Sequence, residues 1–430
     1  MTSQPTTDPG APAASRRSFV RTALGAGAAG ALTLGAAAPA RSATGPAAGA
    51  PTADTGPRAA TGRIPFHGDH QAGILNPPPG YGTFLAFDVN VADRRALEAL
   101  LRTLTDRIRF LTDGGTPPDT GADAPPADSG TLGPAALPTD DLTVTVAVGA
   151  SLFDARYGLA GARPRKLTAM RTFPNDALRP AECHGDVSLQ VCATSRDTVE
   201  HAVRDLLRAG RGALRPRWQL DGFQNRARPT GAARNSLGFK DGIENPDTGS
   251  AQDMDGLVWV GADTGEPAWA VGGSYQVVRA VRTLTGPWDE VPLKDQERMI
   301  GRRKSDGAPL GRTKESDKPD YGQDPKGDVT ALDAHIRLAN PRTAASRDSR
   351  ILRRAFNYDR GLDADGVPEL GLVFCCYQQD VVRQFEAVQN RLADEPLARF
   401  LRPTGGGYFY VLPGVRDASD WLGRTLLGAA

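Results

Sequence analysis

Apolar and polar positions begin to alternate regularly only past residue 80. Gly82 to Asn90 (GTFLAFDVN) keeps the two-residue period of a strand. Ala92 to Leu111 (ADRRALEALLRTLTDRIRFL) returns an apolar side chain every three or four positions, the spacing of a helix with one buried face. A stretch rich in Pro, Gly and Asp from Thr112 to Asp141 interrupts the pattern. Leu142 to Gly149 (LTVTVAVG) and Asp186 to Thr194 (DVSLQVCAT) then read as strands, Ser195 to Gly210 as a helix capped by Ser195, and Arg215 to Leu220 as a closing strand. The predicted order is βαββαβ.

The second half reads as a similar set of strands and helices. Gly256 to Ala262 (GLVWVGA) and Gly273 to Leu284 are strand-like, Val291 to Arg302 is helical, Leu370 to Gln379 is a strand, Val381 to Glu395 a helix and Gly406 to Pro413 a final strand. A long polar insertion separates them, and its part from Arg302 to Asp328 is expected to be a solvated lobe. The fold class expected is α+β: two tandem ferredoxin-like (split βαβ) domains with antiparallel sheets, residues 63–222 and 223–430.

Upstream of the periodic sequence lies an address. SRRSFVR at Ser15 to Arg21 precedes an Ala/Gly/Leu/Thr stretch that ends in Ala38-Pro39-Ala40, an A-x-A cleavage pattern, so residues 1–40 read as a signal peptide. Arg16 and Arg17, followed by a polar residue and Phe19, resemble the twin-arginine signal of proteins exported already folded and loaded with cofactor. The expected destination is extracellular or the cell envelope. Residues 41–62 offer no aromatic or β-branched apolar side chain to a core except Thr and read as a disordered linker. No later segment approaches the ~20 apolar residues of a membrane span, so no stable insertion of the mature chain is expected.

Charge and cysteine content narrow the chemistry. With 51 Lys+Arg against 50 Asp+Glu and no basic run, nothing marks a nucleic-acid partner. Four Cys exclude a disulfide scaffold, and no CxxC pair suggests zinc. Export permits a bridge between Cys183 and Cys192, while adjacent Cys375 and Cys376 suit a core strand. Of five His, His67 and His70 have an i,i+3 ligand spacing but no third ligand nearby, and His201 sits mid-helix in a polar, solvated context. No GxSxG, HExxH or Walker pattern occurs. TGGGYFY lacks the helix that phosphate cradling needs. Spacing alone leaves an exported two-domain α+β protein.

Four strings add a resemblance. FHGDHQAGI (Phe66 to Ile74), NSLGFKDGIENP (Asn235 to Pro246), DAHIRLANPR (Asp333 to Arg342) and ILRRAFNYDRG (Ile351 to Gly361), in that order, resemble the dye-decolourising haem peroxidases, in particular their exported deferrochelatase/peroxidase-like branch. The resemblance spans about Pro65 to Pro413 and implies paired ferredoxin-like domains with heme b in the second. It implies His335 as proximal iron ligand and Asp241 with Arg353 as the distal catalytic pair, Arg353 being preferred to Arg354. It also implies Arg342 at a propionate, Gly242 beside the cofactor and Leu372 with Phe374 as the apolar distal wall. Glu395 is preferred over Asp394 and Glu386 as the carboxylate that orients His335.

These residue types suit peroxide chemistry. An imidazole ligand leaves the sixth iron position open, a carboxylate shuttles a proton between peroxide oxygens, and a permanently charged guanidinium stabilises charge as the O–O bond breaks. The implied activity is oxidation of dyes, phenols or other extracellular organic reductants by hydrogen peroxide through a ferryl intermediate. Trp218, Trp259, Trp269, Trp288, Tyr275, Tyr377 and Tyr408 are candidate electron relays, with core packing the commoner role of such residues. The alternatives are haem capture or iron release from haem with iron-uptake partners, and a non-haem ferredoxin-like binding module.

Overall fold

The computed structural model describes residues 62–428. The signal peptide and all but the last residue of the linker lie outside them. In the first half, β1 (Tyr81–Val89), α1 (Arg94–Asp113), β2 (Thr143–Gly149), β3 (Val187–Ala193), α2 (Arg196–Ala209) and β4 (Leu214–Phe223) follow the expected order. Asp93 caps α1 by accepting from the Ala96 N–H at 2.8 Å, and Gly114, at φ 72°, ends it. Leu97, Leu101, Leu104 and Ile108 form the apolar face that α1 buries on the sheet. The strands pair antiparallel in the order β2-β3-β1-β4.

The second half contains α3 (Ala251–Leu257), β5 (Ser274–Thr283), α4 (Thr285–Asp289), α5 (Leu293–Ile300), α6 (His335–Ala339), β6 (Leu352–Arg353), β7 (Phe356–Leu362), β8 (Pro368–Gln378), α7 (Ala387–Arg391), β9 (Leu401–Val411) and α8 (Arg424–Gly428). Its long strands take the matching order β9-β5-β8-β7, with two-residue β6 also on β8. The fold is therefore α+β, built from two ferredoxin-like halves. β2 also pairs with β9, and β4 with β7 through Phe223 and Asn357, so the two sheets join edge to edge as a closed ring. Phe84, Trp218, Val278, Phe356, Tyr377 and Phe409 pack inside the ring. A second apolar layer lies between its outer faces and the helices.

Several expectations need correction. Gly256 to Ala262 is not a strand: Ser250 accepts from the Asp253 N–H at 3.2 Å and starts α3, whose end carries Leu257 into buried, irregular chain at Val258 to Val260. β7 escaped the reading because only its first three residues are buried, too few for an alternation to register. The helix expected over 381–395 is interrupted, with a π-helical turn at Val382–Glu386 leading into α7. His201 is buried rather than solvated, because Asp128 of the preceding loop folds over α2 and pairs with Nε2. Cys183 and Cys192 are free: Cys183 joins the outer layer, whereas Cys192 faces the ring interior. The Arg302 to Asp328 segment is not wholly solvated, since Arg302 and Ala308 are buried.

The TGGG run proves to be a packing device. Gly406 sits at φ 115°, and a Cβ there would fall 2.0 Å from the Val278 carbonyl oxygen, so β9 can lie against β5 only with glycine at this position. Among the described residues, no helix is long and apolar enough to cross a membrane.

Candidate active site

A cavity of about 500 Å³ opens on the outer face of the second half's sheet. Strand alternation sends Arg279, Val281 and Thr283 of β5 and Leu372 and Phe374 of β8 toward it, while their neighbours fill the ring. The opposing walls come from the 235–246 turn, α6 and the Phe385 to Glu395 segment.

His335 opens α6 and lines this cavity. Its Nδ1 lies 2.8 Å from Glu395 Oε2, and no described residue bonds its Nε2. Burial pushes the imidazole pKa down, but the charge and hydrogen bond of Glu395 outweigh it and the net direction is up. Glu395 is buried just before Pro396, whereas Glu386 is held by Arg171 at 3.2 Å. Of the three carboxylates considered, Glu395 is the one that meets His335.

Asp241 comes from the GFKDG turn. Asn235 Oδ1 accepts from the Leu237 and Phe239 N–H groups at 3.1 and 3.3 Å, and Gly238 and Gly242 take φ of 83° and 85°. The turn presents the Asp241 carboxylate to Arg353, whose Nη1 donates to Oδ1 at 2.8 Å. The Gly242 N–H donates to the same oxygen at 2.6 Å. Burial would raise the Asp241 pKa, yet the Arg353 charge and these hydrogen bonds carry it below the usual 3.8. Gly242 itself is exposed and is not among the residues lining the cavity; its N–H serves Asp241.

Arg353 and Arg354 diverge because they are consecutive on an extended chain. Arg353 reaches the cavity, while Arg354 is buried on the other side and donates to the carbonyls of Asn76 and Pro77. Sequence reasoning missed Asn245, whose Oδ1 accepts from the Arg353 N–H and whose Nδ2 donates to the Arg353 carbonyl, both at 2.9 Å. This two-point clamp ties the strand carrying Arg353 to the turn carrying Asp241. Asn245 stands inside the singled-out GFKDGIENP string, directly before Pro246, so its place was marked though its partner was not.

Arg342, at φ 58°, donates from Nη2 to Glu244 at 2.6 Å, and Arg302 approaches the same carboxylate at 3.6 Å. The Arg342 Nε and the Tyr321 hydroxyl are buried without hydrogen-bond partners, and both residues line the cavity. Arg302 and Tyr321 were also missed, because a polar run carries no periodicity to show which members turn inward.

The residues present fit haem. The cavity volume lies within the ~300–1,000 Å³ usual for cofactor sites. Its walls at Val281, Leu372, Phe374, Phe385 and Val388 are apolar, and an imidazole nitrogen is unspent. The unpartnered Arg342 donor and Tyr321 hydroxyl suit acidic substituents.

Residues 71–224 match the family model "Dyp-type peroxidase, N-terminal" and residues 232–416 match "Dyp-type peroxidase, C-terminal". The chain belongs to the Dyp-type peroxidase family. It is 50% identical over 376 residues to the deferrochelatase of Escherichia coli K12, covering 86% of this chain and 89% of that protein. It is 37% identical to ferric DtpA from Streptomyces lividans, with a TM-score of 0.77 over 86% of this chain and 98% of that one. It shows the same identity to a DyP-type peroxidase from Cellulomonas bogoriensis, with a TM-score of 0.76 over 86% of this chain and 99% of that one. As a Dyp-type peroxidase the protein is a haem-dependent enzyme that uses hydrogen peroxide and a reductant.

His67 and His70 take no part in this peroxidase's cavity. His67 faces Arg109, and His70 stacks on Trp259 at 3.7 Å with Nδ1 against the Gly272 carbonyl.

The Asp241–Arg353 pair has a thermodynamic signature. A carboxyl titrating below its unfolded value stabilises the fold fully above about pH 4, and that contribution is lost as pH falls through the lowered native value. Urea unfolding of haem-loaded wild type and Asp241→Asn should show a stability gap that is constant near neutrality and closes below about pH 4. An Arg353→Leu background should weaken that pH dependence. A gap that persists unchanged to about pH 3 would mean that the pair does not hold the carboxylate ionised.

Proposed function

We propose that the chain is an exported peroxidase acting on dyes, phenols or other extracellular reductants, with haem in its second domain, residues 223–430. In this reading His335 holds the iron, Arg342 with Tyr321 receives a propionate, and Asp241 with Arg353 works on hydrogen peroxide. The observation that carries it is the pairing, within one apolar-walled cavity, of an imidazole fixed through Nδ1 and a carboxylate kept ionised by a guanidinium.

Haem bound here supplies an iron centre that takes up peroxide and stores two oxidising equivalents. Glu395 fixes the tautomer and plane of His335 by accepting at Nδ1 and strengthens the imidazole as a donor. Asp241, ionised, takes a proton from one peroxide oxygen and returns it to the other, so that water leaves. Arg353 faces the negative charge that develops on the departing oxygen, and Asn245 keeps its backbone from shifting as that charge builds. Leu372 and Phe374 exclude bulk water and strengthen both electrostatic effects.

A second reading, iron release from haem with iron-uptake partners, is favoured by the 50% identity to the Escherichia coli deferrochelatase. The two differ in product. A peroxidase returns intact haem after each turnover, whereas iron release leaves metal-free porphyrin, which fluorescence detects.

The assignment of His335 is tested with His335→Ala, which should fail to retain stoichiometric haem or should lose the wild-type absorption spectrum. An unchanged spectrum places the ligand elsewhere. The export reading rests on Arg16 and Arg17, which lie outside the described residues. Replacing both by Lys should leave the precursor inside the cell, and undiminished export would refute that route.

A further inference from the structure

A second cavity, of about 410 Å³, lies where the chain before β3 meets β9. It is lined with charged residues, but its cations are already engaged. Arg156 donates to Asp154, Asp186 and the carbonyls of Val89 and Ser151. Arg217 donates to Asp88 and the carbonyls of Cys183 and Pro180. Neither guanidinium is free to select an anion. The half-buried ring of His184 also lines it, and so does Tyr408, whose buried hydroxyl faces the Glu386 carboxylate.

The backbone fixes both. His184 sits at φ 63°, its N–H donates to the Gly406 carbonyl at 2.7 Å, and its own carbonyl accepts from Trp218 Nε1 at 2.7 Å. A Cβ on Gly407 would lie 3.2 Å from the His184 Cα, so the glycines let this chain lie flat on β9 just before Tyr408. Burial, and then the nearby Arg217 charge, push the His184 pKa down, leaving a neutral imidazole able to accept a proton. Burial, and then the Glu386 carboxylate, push the Tyr408 phenol up, so it rests protonated.

Tyr408 also touches the first cavity's wall. Its ring packs edge-on against Phe385 at 5.8 Å between centroids, and Phe385 packs on Phe374 at 5.9 Å. Both phenylalanines line the haem cavity. One aromatic ring therefore separates Tyr408 from that cavity.

We propose that the second cavity binds a small neutral phenol as reductant, with His184 accepting the phenolic proton and Tyr408 relaying the electron toward the haem cavity. This rests on the peroxidase reading above. In each one-electron step Tyr408 gives an electron toward the haem cavity and its hydroxyl proton to Glu386. The bound phenol then gives an electron to Tyr408, which recovers its proton from Glu386, while the phenol's O–H proton passes to His184 and on to water. Two phenols supply two electrons and two protons, which with one hydrogen peroxide give two phenoxyl radicals and two waters.

The test uses haem-loaded protein and 2-methoxyphenol, comparing wild type with Tyr408→Phe, His184→Gln and Ala169→Trp. Tyr408→Phe removes only the hydroxyl and keeps the ring, and Ala169→Trp places bulk in the cavity from an exposed position. Reaction with hydrogen peroxide alone, followed by stopped flow, reports the peroxidase reading and should match wild type in all three. Tyr408→Phe should lower kcat for the phenol about tenfold or more. His184→Gln should lower it by up to about a hundredfold, the range of a lost general base. Ala169→Trp should raise KM, with little change in kcat. Freeze-quenched wild type treated with peroxide should show a tyrosyl radical that Tyr408→Phe lacks. Wild-type kcat/KM for 2-methoxyphenol in all three variants, or a KM untouched by Ala169→Trp, would overturn the proposal.

Discussion

Strand edges dictate this architecture. A four-stranded ferredoxin-like sheet leaves two edges with unpaired N–H and C=O groups, and buried or aggregation-prone edges are costly. Here β2 meets β9 and β4 meets β7, so each half satisfies the other's edges and the chain closes into a ring. The inner faces are thereby committed to packing, which leaves chemistry only the outer faces. In the first half, α1 and α2 cover that face. In the second half the matching helix is a π-helical turn and a five-residue α7, and the uncovered part of the sheet becomes a cavity wall.

The cavity is organised by two carboxylate contacts between segments distant in sequence, Asp241 with Arg353 and Glu395 with His335. Each pair reverses what burial alone would do. Burial lowers an imidazole pKa and raises a carboxyl, whereas here the partner charge raises the one and lowers the other. The result is an imidazole oriented through Nδ1 and a carboxylate kept ionised for proton transfer. Rigid strands make this affordable, because β8 carries the backbone of Arg353 through β6 while Asn245 locks it to the turn.

Much of this was legible in the sequence, for physical reasons that differ by element. Strands with one face on each apolar layer alternate over many residues, so β1, β2, β3, β5, β8 and β9 were visible. β7 dips into the core for three residues and was not. The order of the first half followed from periodicity, that of the second only in part, and His335, Asp241, Arg353, Arg342 and Glu395, taken from resemblance, all line the one cavity with Leu372 and Phe374. Invisible were contacts whose partner arrives from another segment: Asn245 on the Arg353 backbone, Arg302 and Tyr321 turned in from a polar run, and Asp128 folded over His201. The resemblance marked Gly242, and the bond its N–H makes to Asp241 was not visible in the string.

The central claim is that Arg353, held by Asn245 against an ionised Asp241, supplies the fixed positive charge on which peroxide cleavage depends. Stopped-flow mixing of haem-loaded wild type, Arg353→Leu and Asp241→Asn with hydrogen peroxide tests it most directly. Arg353→Leu should react about 10² to 10³ times more slowly than wild type and at least as slowly as Asp241→Asn, since water can carry a proton, whereas of the cations lining the cavity Arg353 is the one that donates to Asp241. An Arg353→Leu enzyme as fast as wild type, beside an inactive Asp241→Asn enzyme, would contradict it.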